Sequence, residues 1–164
     1  MNLIVAVDKN WGIGKDNNLL VRLKGDMKFF REKTMGKVVV MGRSTLESFP
    51  NGEPLPKRIN IVLTHREDFE KEGVTVVHNM DELNAVINFF QSDDVMIIGG
   101  ASVYNELMEF CDKLYITKIE KEFKADTFIK NVDELPQFKV YAKSDTMEED
   151  GIKYQFVEYR RKKL

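Results

Sequence analysis

One cysteine, Cys111, and two histidines are all the soft or imidazole ligands in this chain of 164 residues. A single thiol excludes an internal disulfide and fits a reducing compartment. So few Cys and His form no cluster with the spacing of a metal centre, and no metal is expected. Long apolar runs are missing too: none approaches the roughly 18–20 residues of a membrane span. An excess of positive charge is also absent. Lys and Arg number 25 against 27 Asp and Glu, for a formal net charge of −2, which argues against nucleic acid as the main partner, since phosphate binding needs a basic face. The basic tail Arg160, Arg161, Lys162 and Lys163 reads as a solvated end. No repeat, low-complexity tract or Pro/Gly/Ser-rich linker breaks the chain. "NLIVAV" near the start has no basic flank and reads as a strand, not a signal peptide. The expectation is one cytoplasmic domain spanning residues 1–164.

What the chain does have is short apolar runs alternating with helix-like segments. "LIVAV" (3–7), "VVVM" (38–41), "INIVL" (59–63), "VTVV" (74–77) and "VMII" (95–98) are β-branched-rich and apolar on both faces, as buried parallel strands are. Between them helices are expected near 26–34, 44–48, 81–90 and 101–109. In the third, Leu83, Val86, Ile87 and Phe90 recur at i, i+3, i+4 and i+7. The last third alternates in the half-exposed manner: "KLYITKI" (113–119), "FKVYAKS" (138–144) and "KYQFVEY" (153–159), the last two joined by the turn "DTMEEDG". The fold class is α/β: a central, mostly parallel sheet with flanking helices and a C-terminal antiparallel edge hairpin.

In such a sheet ligands bind beyond the carboxyl ends of the strands. Gly42-Arg43-Ser44-Thr45 follows the second run and Gly99-Gly100-Ala101-Ser102 the fifth. Each is either turn geometry or a place where phosphates approach backbone N–H groups; neither is GxGxxG nor a Walker A loop. Thr64-His65-Arg66 follows the third run. It is either ordinary loop polarity or, with Arg43, a hydroxyl–imidazole–guanidinium set for a 2′-phosphate, which favours NADP over NAD. Arg58, stiffened by two prolines in "PLPKRIN", is either a surface charge or a bidentate clamp for a carboxylate. Asp26 stands in a first helical turn, where an acid normally complements the dipole. Its neighbours Met27 and Phe30, with Phe49, are apolar and disfavour its charged form unless a cationic or donor-rich ligand meets it.

Taken in order, "VAVDKNWGIGKDNNL", "GDMKFF", "VVVMGRSTLESFP", "PLPKRINIVLT", "MIIGGASVY", "LYITKIE" and "ADTF" resemble the bacterial dihydrofolate reductases over essentially the whole length. The resemblance implies NADPH-dependent reduction of 7,8-dihydrofolate to tetrahydrofolate, feeding one-carbon metabolism. It implies a monomer with a small-molecule substrate. Asp26 would bind the pterin N3 and 2-amino group, supported by Thr117. Val5, Ala6 and Ile98 would line the pterin pocket, and Met27, Phe30, Phe49 and Leu55 would hold the pterin and aminobenzoyl portions. Arg58 would clamp the glutamate α-carboxylate. Arg43, Thr64 and His65, with Arg66 in addition, would meet the NADPH 2′-phosphate. Gly42, Ser44, Thr45 and the turn Gly99-Gly100-Ala101-Ser102 would hold the pyrophosphate region, with a cis Gly99-Gly100 peptide. Tyr104 would sit near the nicotinamide, and Ala6, Ile13, Leu63 and Val103 complete the cofactor set. Residues 9–23 would form a mobile loop over the nicotinamide. One departure stands out: the family's Pro-Trp before the helix is here Leu20-Val21, and Val21 cannot hold a water as an indole does. The rivals are a related NADPH-dependent pyrimidine or pterin reductase, such as that of riboflavin synthesis, and a non-catalytic binder of pterin or NADPH.

Overall fold

A computed structural model describes residues 1–163. In chain order it contains β1 (Asn2–Val7), β2 (Gly12–Lys15), β3 (Asn18–Leu19), α1 (Lys24–Thr34), β4 (Val38–Gly42), α2 (Arg43–Ser48), β5 (Ile59–Leu63), β6 (Val74–Val77), α3 (Met80–Ile87), β7 (Val95–Gly99), α4 (Ala101–Leu107), β8 (Lys113–Ile119), β9 (Thr127–Phe128), β10 (Phe138–Lys143), β11 (Met147–Glu149) and β12 (Ile152–Arg161).

The main sheet runs β10-β12-β8-β1-β7-β4-β5-β6, with β11 added to β12. From β8 through β6 all neighbours are parallel; β12 is antiparallel to β8, β10 and β11. This is the expected mixed α/β sheet. β1, β4 and β7, which read as apolar on both faces, are buried on both, because each face carries helices; β6, which read the same way, lies at the sheet edge with Thr75 exposed and Val74 and Val76 half-buried. Alternate residues feed opposite cores. Leu3, Val38, Val40, Ile61 and Ile97 join Leu83 of α3 and Leu107 of α4 on one side. Ile4, Val39, Met41, Val62 and Ile98 join Leu46 of α2 and Phe29 and Phe30 of α1 on the other.

Three expectations are corrected. The segment 9–23, expected as a loop, contains strands: β2 pairs with β3 and with β9 in a small antiparallel sheet. Strands of two to four residues carry too little periodicity to be read. Two carboxylates pin this ribbon. Buried Asp8 accepts from the backbone N–H of Asn10, Gly12 and Phe123, and Asp126 accepts from Asp16 N–H at 2.9 Å. Second, α3 ends at Ile87, and Phe90 packs on the core from beyond the helix; α4 ends at Leu107 and tightens into a 3-10 turn over Met108–Phe110. Third, β10 and β12 are not joined by a simple turn. β11 intervenes and folds back on β12 around Asp150 and Gly151, whose φ of 53° and 78° suit a tight hairpin.

Candidate active site

The strand order changes direction around β1 and β7, and the chemistry-bearing residues gather at that end of the sheet. Asp26 enters from the first turn of α1. Thr117, on β8 beside Ala6 of β1, is buried and donates its hydroxyl to Asp26 Oδ1 at 2.6 Å. Burial pushes the Asp26 carboxyl above the ordinary aspartate range; the Thr117 hydrogen bond opposes this and the nearby Glu149 carboxylate adds to it. Among the described residues no cation lies within ion-pair distance of Asp26.

Phe30, one turn after Asp26, lies on the same face of α1. With Phe49 and Leu55 it packs against the core cluster that holds Ile98. Met27 is exposed at 46%. Val5 is buried in the opposite core, so only its backbone can face a ligand at the strand end. Tyr104 is buried and donates its hydroxyl to Ile4 O at 2.7 Å, which fixes the phenol beneath the β1–β7 end.

Arg58 is held by local hydrogen bonds. Its Nε and Nη2 donate to Thr34 Oγ1 at 3.2 and 3.0 Å, and its Nη1 donates to Pro56 O. Burial and the nearby Arg31 both lower its pKa, and among the described residues no carboxylate pairs with it. The turn before it is locked by Asn60, a residue the sequence reading passed over. Its side chain accepts from Leu55 N–H and donates to Leu55 O and Arg58 O at 3.0, 2.9 and 3.2 Å. A buried amide inside "INIVL" was the available signal.

The two glycine turns meet. A Cβ at Gly42 would lie 3.2 Å from Val103 and 3.9 Å from Gly100 N, and one at Gly100 would lie 3.3 Å from Thr45 Oγ1. The Gly99-Gly100 peptide is cis. Ala101 and Ser102 open α4 immediately after it. The result is a narrow cradle lined by backbone, as a pyrophosphate needs. Ser44 O accepts from Asn17 at 3.2 Å, which ties the β2–β3 ribbon to this side. Ile13 on β2 and Leu63 at the end of β5 pack on the first core from partly buried positions. Arg43 pairs with Glu47 inside α2. Thr64 is buried at the end of β5 and accepts from Arg66 N–H, while His65 and Arg66 are exposed. His78, unremarked in the sequence, adjoins them: its Nδ1 lies 2.8 Å from Thr64 O. Val21 packs in an apolar group with Leu23, Ile119 and Tyr154.

A mixed, mostly parallel α/β sheet with a buried acid, an arginine without a carboxylate partner and two meeting glycine turns at its carboxyl end is the architecture of a nucleotide-dependent enzyme acting on a small molecule. The family model described as "Dihydrofolate reductase" matches residues 1–161. The chain is 37% identical over 163 residues to the dihydrofolate reductase of Bacillus subtilis (strain 168), covering 99% of this chain and 95% of the relative. It is 42% identical over 149 residues to that of Haemophilus influenzae, covering 88% and 89%. The structure of Enterococcus faecalis dihydrofolate reductase complexed with NADP(H) and RAB-propyl superposes with a TM-score of 0.89 at 34% identity, covering 99% of this chain and 96% of that one. The chain belongs to the dihydrofolate reductase family. It is an NADPH-dependent oxidoreductase that reduces dihydrofolate to tetrahydrofolate.

Proposed function

We propose that Asp26 and Thr117 are the groups that bind and activate the pterin. The observation that carries this is a carboxyl buried in an apolar setting, served by one hydroxyl donor and no cation. A pterin edge presents N–H donors, and a bidentate partner of that kind satisfies the acid in place of water. Through those bonds Asp26 polarises the ring toward protonation at N5, the proton arriving by water. Bound NADPH supplies the hydride to pterin C6. The chain's part is to orient and enclose. Val5, Ala6 and Ile98 line the pterin end; Met27, Phe30, Phe49 and Leu55 hold the flat and aminobenzoyl portions; Arg58 takes the glutamate α-carboxylate, to which its unpaired fork is suited.

On the cofactor side, the cradle of Gly42, Ser44, Thr45, Gly99, Gly100, Ala101 and Ser102 receives the pyrophosphate. Arg43, Thr64, His65 and Arg66 receive the 2′-phosphate, Arg43 by leaving Glu47. Ala6, Ile13, Leu63, Val103 and Tyr104 flank the nicotinamide and adenine halves. The ribbon of residues 9–23 moves to admit ligands and excludes bulk water when seated. The protein works as a monomer in the cytoplasm, as one domain over residues 1–164, with no nucleic-acid partner. Among the described residues no helix is long and apolar enough to cross a membrane. The test is absorbance at 340 nm with purified protein, NADPH and dihydrofolate. Steady loss of absorbance that needs both ligands is the expected result, and no turnover by folded protein would remove the proposal.

A further inference from the structure

The first turn of α1 is capped from far away in the chain. Leu23 at the N-cap position offers no side-chain acceptor. Instead the Glu149 carboxylate, at the end of β11, accepts from Lys24 N–H at 2.7 Å and from Gly25 N–H at 3.2 Å. The other arm of the same ribbon presses from the side. On β12, Tyr154 is buried and sits opposite Met147 of β11, and its hydroxyl occupies the space that a side chain at Gly25 would fill. The β11–β12 ribbon therefore grips the two residues that precede Asp26.

We propose that Glu149 is a positioning residue for the reaction, acting on Asp26 through the first turn of α1. Two physical effects run in the same direction. The free N–H groups at a helix start form a partial positive end that would steady an Asp26 carboxylate. Glu149 occupies two of those groups, and it also adds a negative charge beside Asp26, which disfavours ionisation of the Asp26 carboxyl. The other groups that face Asp26 do not oppose this with charge. Thr117 of β8 does not titrate. Tyr154 of β12 and Tyr104 of α4 are both held protonated, first by burial and then by the acids nearby, Glu149 and Asp26 for Tyr154 and Asp26 for Tyr104. Among the described residues, Glu149 is the charged group that raises the Asp26 carboxyl, in the same sense as burial. The consequence for function is an acid that keeps its proton to higher pH. A helix with a proline at either of these two positions would lack the N–H that Glu149 uses; Lys24 and Gly25 supply both.

The inference rests on the role proposed for Asp26, and one experiment separates the two. The rate of hydride transfer is followed by stopped flow across the pH range for the parent protein, Glu149→Gln, Glu149→Ala and Asp26→Asn, with saturating NADPH and dihydrofolate. The ionisation that Asp26→Asn abolishes is the one assigned to Asp26; if Asp26→Asn abolishes none, the role of Asp26 fails. Glu149→Gln keeps an acceptor for the helix and removes the charge. It should move that ionisation to lower pH with Tm near the parent value. Glu149→Ala should move it likewise and lower Tm by about 2–4 °C for a lost cap. A Glu149→Gln profile that superimposes on the parent's, or moves to higher pH, overturns the proposal. If Glu149→Gln does not fold, carboxyl-carbon NMR of the parent decides. The Asp26 resonance, identified by its loss in Asp26→Asn, should show a second step as Glu149 titrates, and a single step overturns the proposal.

Discussion

A carboxylic acid in the apolar lining of a cleft is a poor choice for stability. Burial raises the Asp26 carboxyl, with Thr117 opposing and Glu149 reinforcing. The folded-state value therefore lies above the unfolded one. Between the two values the unfolded chain has lost the proton and the native chain still holds it, so stability falls as pH rises through that window and stays lower above it. Asp26→Asn, which keeps an oxygen for the Thr117 hydroxyl, should be more stable than the parent at neutral pH, with the difference vanishing below the ordinary aspartate value. Thermal unfolding of both proteins at acid and neutral pH checks this; an equal or lower Tm for Asp26→Asn at neutral pH contradicts it. Asp26 and Arg58 were legible in the sequence because an acid among aromatics and an arginine after two prolines each break a local pattern. Thr117 was legible only through family resemblance. Asn60 showed only as an amide inside an apolar strand, and Glu149 not at all, since each acts by hydrogen bonds to backbone that sequence does not display.

Between single residues and the whole molecule lie the segments that aim them. The turn before β5 places both Leu55 and Arg58, and Asn60 ties it by three hydrogen bonds. Asn60→Ala would leave one N–H and two carbonyl groups without that partner, for a loss of about 1–3 kcal/mol, measurable by chemical denaturation. It should also weaken folate bearing a glutamate tail more than a pterin lacking one, because Arg58 loses its aim. Arg58→Ala should show the same selectivity to a larger degree. Equal losses for the two ligands would contradict the clamp. The buried parallel strands β1, β4 and β7 were readable from their composition because both faces are covered; the equally apolar β6 is half-exposed at the sheet edge. The β2–β3–β9 sheet was not, since its register is set by Asp8, Asp126 and turn residues with positive φ, Asp16 and Asn17 among them, and not by an apolar period.

At the scale of the molecule, the fold brings four distant segments to one end of the sheet: the start of α1, the Gly42 turn, the Gly99-Gly100 turn and the end of β8. Their order along the chain was enough to suggest the family, because the Gly42 and Gly99-Gly100 turns each end a buried parallel strand. The question raised by Val21 is answered in part by packing. Val21 is packed with Leu23, Ile119 and Tyr154. The central claim is that Asp26 drives protonation of the substrate, and its most direct test is turnover at 340 nm with dihydrofolate and NADPH at neutral pH. Asp26→Asn should lose about 10²-fold or more, the usual scale for removing a proton-transfer group. Turnover by folded Asp26→Asn close to that of the parent would contradict the account.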